Sequence, residues 1–335
     1  MDRLKPFLYL LTGVLVSVLG QKITNAKMFL FQAHVLPAVK FLSTLLVGTM
    51  SDGRMGKMGS PRQKRLMIGM GLLDTMAYVL FCLGFGYCGA DATAVILPAM
   101  GQILTALFSL VLLKRWVHRT RQVAVCLVFV GVVTKALDAE KGRSLGVFAN
   151  GTSFRTGILY LFGASLCYSL LGVLYEVLVM SGTKEYPVPP HAHIMLHSSF
   201  VGSALSVIYQ IFYVIPRWNT LIGIPLAASG EHPYGCIMWL MLFAMSYQVH
   251  SYAQGLTFHS DGALGVQLVN AVRGSVTNVV ASLGFCRDTI SECLSYASMC
   301  SGILTATGGV LWTLGAQQEQ HKNNIKKTLK KHKKQ

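Results

Sequence analysis

Arg273 is the residue of this chain whose placement most directly implies chemistry. It sits in GALGVQLVNAVRGSVTNVVASLGF, Gly262 to Phe285, a stretch with no other charge. A helix of roughly 20 residues crosses a bilayer, and this stretch is long enough. A cation at that depth costs about 2.5–3.5 kcal/mol even on the lenient insertion scale, so it meets a partner or a wet path, not lipid. Phosphates in a low-dielectric cavity need cations, because attraction there is far stronger than in water. The guanidinium fork suits two phosphate oxygens. Asn270 lies one turn earlier and shares its face. Lys40, in VLPAVKFLSTLL, would add a point charge. Two acids also lie within apolar spans, Asp74 and Glu176. Arg273 could pair with Glu176, and Lys40 with Asp74, and such pairs could hold the cations while a site is empty. Asp74 could instead be a proton site.

Further polar or aromatic residues within the apolar runs are Gln102, Tyr78, Tyr168, Tyr175, Gln248 and Tyr252. The tyrosines could stack on a base or bond to ribose; each such residue also serves as glue between helices. His191, His193 and His197 form HAHIMLH, in which His193 and His197 are spaced for one helical face. No carboxylate joins them, so a solvated helix start is expected rather than a metal site. Enzyme motifs are missing too. GRMGKMGS is not a Walker sequence, and neither G-x-S-x-G nor H-E-x-x-H occurs. An enzyme and a cofactor are therefore not expected.

These residues need membrane helices to position them. The chain is 53% hydrophobic and 13% charged, about half the charge of a soluble domain. Ten apolar runs follow one another: Pro6–Gly20, Ala33–Met50, Leu66–Gly86, Ala92–Leu113, Val123–Leu137, Gly157–Met180, Ile194–Ile215, Gly235–Leu256, Gly262–Phe285 and Leu294–Gly315. The expectation is an all-α integral membrane protein of ten transmembrane helices, its first helix retained and not cleaved as a signal peptide.

The net charge of +16 does not point to nucleic acid, because its distribution follows the positive-inside bias. With the N-terminus in the cytosol, Arg54, Lys57, Arg62, Lys64, Arg65, Lys114, Arg115, Arg119, Arg121 and the lysine-rich tail are cytosolic, and the other side has far fewer, such as Lys22, Lys27, Lys141 and Arg143. The sequon Asn150-Gly151-Thr152 then falls in the lumen, where Asn150 could be glycosylated. Cys82, Cys126, Cys167 and Cys300 lie in apolar runs and pack as small hydrophobes. Cys286 and Cys293 flank a short luminal turn and could pair or stand as free thiols.

The halves are alike. Asp91 precedes a small-residue helix, a basic turn and VCLVFVGVV; Asp261 precedes GALGVQLVNAVRGSVTNVVASLGF, a polar turn and SGILTATGGVL. Five helices per half would insert the second copy upside down, and such inverted repeats build a midplane site between them. The expected organisation is a first repeat over residues 1–137, a luminal loop over 138–156, a second repeat over 157–315 and a basic cytosolic tail over 316–335.

Four stretches carry a family likeness: VLPAVKFLSTLL with Lys40; Asp91 to Val133 with its basic turn; NAVRG, Asn270 to Gly274; and GVLYEVLV with Tyr175 and Glu176. On these the chain resembles the nucleotide-sugar transporters of the drug/metabolite transporter superfamily. NAVRG is similar to that family's N-x-x-K-G, with arginine for lysine. The family's paired asparagines on helix three are replaced by LDTMAYVLFCLG, and Gln102 lies near the place of its helix-four lysine. The resemblance implies ten helices in two inverted five-helix repeats and exchange of a cytosolic nucleotide sugar for a luminal nucleoside monophosphate.

The final KHKKQ resembles the K-x-K-x-x retrieval signal through Lys331 and Lys333, which implies an endoplasmic-reticulum membrane, with the Golgi second, and recognition of the tail by coat proteins. The same charges also attract anionic lipid. Expected partners are thus an anionic small molecule and membrane lipid, with a homodimer left open. Two other readings stand beside the nucleotide-sugar exchanger: a carrier for another solute (a phosphorylated metabolite, a free nucleotide or a cation) and a membrane scaffold that transports nothing.

Overall fold

A computed structural model describes residues 4–25, 29–52, 59–114, 119–144, 151–230, 232–285, 295–297, 299–312 and 314–315. The regular elements among them are all helical: α1 (Leu4–Asn25), α2 (Phe29–Asp52), α3 (Pro61–Leu113), α4 (Arg119–Ser144), α5 (Gly151–Met180), α6 (His191–Tyr209), α7 (Ile224–Ser229) and α8 (Pro233–Phe285), then α9 (Met299–Trp312). Four stretches are long and apolar enough to cross a membrane: Pro61–Cys88, Ile96–Leu113, Arg155–Met180 and His191–Arg217. Leu4–Leu19, His34–Thr49, Asn219–Ala228 and Met299–Trp312 are shorter apolar helices. Polarity is turned inside out relative to a water-soluble fold. Lys40, Gln63, Gln102 and Gln267 are buried, while Leu159, Phe212 and Met245 are exposed. Lipid as the solvent accounts for that pattern.

Two long helices fold back on a shorter one. Along α3, Cys88 lies on Gly157 of α5 and Leu80 on Gly163. Farther on, the carbonyls of Leu97 and Gly101 accept from Ser165 Oγ at 3.1 Å and Ser169 Oγ at 3.0 Å. The first contacts run against α5 and the second along it, so α3 reverses between its legs. The legs of α8 do the same against α1: His250 and Arg273 both lie on Gly13. Its reversal is at Gly262, with φ 71° and ψ −174°, a conformation only glycine adopts without strain. Glu176 of α5 caps the second leg, accepting from the Ala263 amide at 3.3 Å. A carboxylate is favourable there because the first amides of a helix lack partners.

The remaining helices pair antiparallel. On α2 and α6, Gly48 meets Leu196 and Phe41 meets Gly202. On α4 and α9, Gly131 meets Ser301 and Leu304, and Val128 meets Gly308. The start of α3 is fixed by a capping box: Ser60 Oγ accepts from the Gln63 amide at 3.3 Å, and Gln63 Oε1 from the Ser60 amide at 2.9 Å.

One helical segment was not expected from the sequence. The seventh apolar run ends at Ile215 and the eighth begins at Gly235, yet Asn219–Gly223 forms a π turn that leads into α7. Pro216 cannot donate to an α-helical ladder, and Ile215–Arg217 is a 3₁₀ turn. Val214 and Ile222, on either side of it, pack into one core with Leu36, Phe41 and Phe243.

Candidate functional site

Between the α1–α8 group and the α3–α5 group lies a cavity of about 230 Å³, to which α2 and α6 also contribute. A column of rings lines it. Tyr9 stacks on His250 at 4.7 Å between centroids, His250 meets Tyr247 edge-on at 6.2 Å, and Tyr247 meets Tyr78 at 6.4 Å. Phe81 and Phe85 continue the column, at successive spacings of 5.8 and 5.9 Å. Two cations lie along this wall, and the fold treats them differently.

Arg273 lines the cavity. Its Nη1 donates to His250 Nε2 at 3.2 Å. A nitrogen that accepts from guanidinium carries no proton, so His250 is neutral with its proton on Nδ1, 3.4 Å from Thr12 Oγ1. Gly13 makes room for this pair: a Cβ there would lie 2.5 Å from Arg273 Cδ and 2.9 Å from His250 Cε1. The pairing of Arg273 with Glu176 weighed from the sequence is not what the fold makes. Glu176 sits at Ala263, ten residues or about 15 Å along the helix. Among the described residues, no carboxylate pairs with Arg273, and its charge is left facing the cavity.

Asn270 completes a donor surface. Gln254 Nε2 donates to Tyr9 Oη at 3.0 Å, and the Tyr9 hydroxyl donates to Asn270 Oδ1 at 2.7 Å. The Asn270 amide oxygen is thus taken by Tyr9, and Asn270 lines the cavity one turn from Arg273. Thr277 Oγ1 belongs to a cavity-lining residue and is buried without a hydrogen-bond partner among the described residues. Buried polar atoms normally have partners, so this hydroxyl still has a bond to give. Guanidinium, amide N–H and hydroxyl groups converging in one apolar-walled space suit an anion.

Lys40 is only 2% exposed and does not line the cavity. Its Nζ pairs with Asp74 Oδ1 at 2.7 Å and lies over the rings of Tyr78 at 4.3 Å, Phe41 at 4.6 Å and Tyr247 at 5.3 Å. The carboxylate of Asp74 and the rings of Tyr78 and Tyr247, not the ammonium, meet the cavity.

The other residues singled out in the sequence divide. Tyr78, Tyr168 and Tyr175 line the cavity. Gln102 is buried behind the wall, both its amide atoms without a partner. Gln248 ties α8 to α2, donating to Ser43 Oγ at 2.8 Å and Thr44 Oγ1 at 3.0 Å. Tyr252 is exposed, its ring 6.3 Å from that of His191. The rings of His193 and His197 lie 4.3 Å apart, tilted by 39°, whereas His191 turns away to Tyr175. Among the described residues no cluster of three or more His, Cys, Asp or Glu side chains could hold a metal. Asn150, Cys286, Cys293, Lys331 and Lys333 lie outside the described residues.

Tyr9, His250, Tyr247 and Gln254 were not singled out in the sequence. The available signal was Tyr247, His250 and Gln254, at spacings of three and four, which puts them on one helical face. No protein-family model and no curated protein matches the chain. Among solved structures 28 chains match. One of them, described only as "Crystal structure of protein", covers 95% of this chain and 98% of its own at 15% identity and a TM-score of 0.62, a likeness of fold alone.

Proposed function

We propose that the chain is a ten-helix membrane carrier that moves nucleotide sugars from the cytosol into the endoplasmic-reticulum or Golgi lumen, in exchange for nucleoside monophosphate, by alternating access. The observation that carries this reading is Arg273, a guanidinium whose partner is a neutral imidazole and whose charge faces the cavity. The packing supports two inverted repeats. α1 against both legs of α8 parallels α5 against both legs of α3, and α2–α6 and α4–α9 are antiparallel pairs of the kind a twofold axis in the membrane plane produces. The aromatic column gives a base or sugar a face to stack on, and Arg273 with Asn270 gives phosphate its donors.

The test is uptake into reconstituted vesicles. Arg273→Ala is expected to abolish uptake of nucleotide sugar while expression and melting temperature stay normal. Near-normal uptake by that variant would refute the assignment. The Lys40–Asp74 pair favours a second reading. Because Asp74 already neutralises Lys40, a single uncancelled cation among the described residues faces the cavity, which also suits a phosphorylated metabolite of lower charge than a nucleotide sugar.

A further inference from the structure

One end of the cavity is built from groups that anion binding does not use. Along α8, His259 lies nine residues from His250, about 14 Å from the Arg273 level. There Tyr175 of α5, His191 at the start of α6 and His259 form a hydrogen-bonded row. Its direction follows from its far end. The Ser251 carbonyl can only accept, so His191 Nε2, at 3.1 Å from it, holds a proton. In the neutral ring His191 Nδ1 is then bare and accepts from the Tyr175 hydroxyl at 2.8 Å. With that proton committed, Tyr175 Oη accepts from His259 Nε2 at 3.3 Å. All three bonds thus point the same way, from His259 toward His191.

The two ends of the row face different surroundings. His259 is exposed and adjoins Ser260 and Asp261, also exposed, at the polar reversal before Gly262. Such a turn between apolar legs belongs at an aqueous face. His191 and Tyr175 line the cavity. The His191 ring is held firmly, since a Cβ on Gly255 would come within 2.0–2.2 Å of its atoms, and Phe258 stacks on Tyr175 at 4.7 Å.

We propose that this row conducts protons and that the carrier takes up a proton with its anion. A proton from water binds His259 Nδ1, and His259 Nε2 releases its own to Tyr175 Oη. The Tyr175 hydroxyl proton passes to His191 Nδ1. His191 becomes an imidazolium facing the cavity, His259 and Tyr175 end neutral, and nothing is oxidised. The gained charge adds to that of Arg273 for an incoming anion, so proton and anion each favour the other's binding. Among the described residues, the remaining titratable groups around the row are few. Lys5 of α1 bears electrostatically on His259, Glu176 is at the Ala263 amide, Asp261 is at the reversal, and Tyr252 tilts toward His191. On the α3 side Met67 and Met70 are apolar.

This inference rests on the anion-carrier reading, and the test separates the two. Purified full-length chain is first screened by thermal shift against UDP-, GDP- and CMP-linked sugars and their monophosphates; no stabilisation by any of them would overturn the anion reading itself. The sugar nucleotide that stabilises most is then added to vesicles that contain the chain and a trapped pH dye. Acidification of the interior in step with uptake is expected for the wild type. His259→Gln, at an exposed position away from the anion site, should keep the thermal shift yet slow proton entry about tenfold or more. Tyr175→Phe, which keeps the ring on Phe258 and removes the relay oxygen, should do the same to proton entry. Uptake without acidification in the wild type, or wild-type proton entry in both variants, would overturn the proton path and leave the anion reading standing.

Discussion

Arg273 and Lys40 are both cations within apolar helices, and the fold gives them opposite surroundings. Lys40 is enclosed by three rings and closed by Asp74. Arg273 rests on a neutral imidazole and opens onto the cavity. A buried cation with its own carboxylate is a finished structural unit, whereas one held only by a neutral acceptor still has attraction to give. On the proposed reading, the ligand's charge falls to Arg273, and Lys40–Asp74 is the brace behind the aromatic wall.

The largest effect that can break this comparison is at Arg273. Removing a charge-assisted contact to phosphate costs about 1.5–3 kcal/mol per bond, so Arg273→Ala should lower anion affinity by about tenfold to a few hundredfold, measured by titration calorimetry on folded protein. Lys40→Met should instead act on stability. Breaking a buried pair costs about 3–5 kcal/mol, to be read from chemical unfolding in detergent. The double variant Lys40→Met with Asp74→Leu should recover most of that loss and retain uptake. Failure of the double variant to bind anion although it folds would move Lys40 into the binding site.

His250→Gln sharpens the contrast further. Glutamine can still accept from Arg273 but lacks the ring that stacks on Tyr9, a contact worth about 0.5–1.5 kcal/mol. Anion affinity should fall only about two- to tenfold by calorimetry, with uptake still detectable. The smallest effect is expected at Gln248. Gln248→Leu removes two bonds to α2, should cost about 1–3 kcal/mol of stability by chemical unfolding, and should leave anion affinity unchanged.

The sequence made the cations visible because lone charges in apolar runs stand out against a costly background. It also offered Asp74 as a partner for Lys40, since both lie within neighbouring spans. It could not choose a partner for Arg273. Glu176 was the acid within reach on paper, but the reversal at Gly262 places that carboxylate at Ala263, far along the leg from Arg273. His250 comes beside Arg273 only because the two legs of α8 fold together, and Tyr9 meets Asn270 from 261 positions away. Such pairings leave no local periodicity to read. Helical character was legible throughout, with one exception. The segment around Pro216 looks like a break in the sequence, but burial of Val214 and Ile222 on α2 keeps it helical.

The most direct test of the uncancelled charge is a thermal-shift comparison of wild type and Arg273→Ala with nucleotide sugars, nucleoside monophosphates and their uncharged nucleosides. Selective binding to the folded state raises its melting temperature. A phosphate-bearing member should stabilise the wild type and not the variant, with the nucleoside acting weakly on both. Equal stabilisation of both proteins by that member would contradict the account.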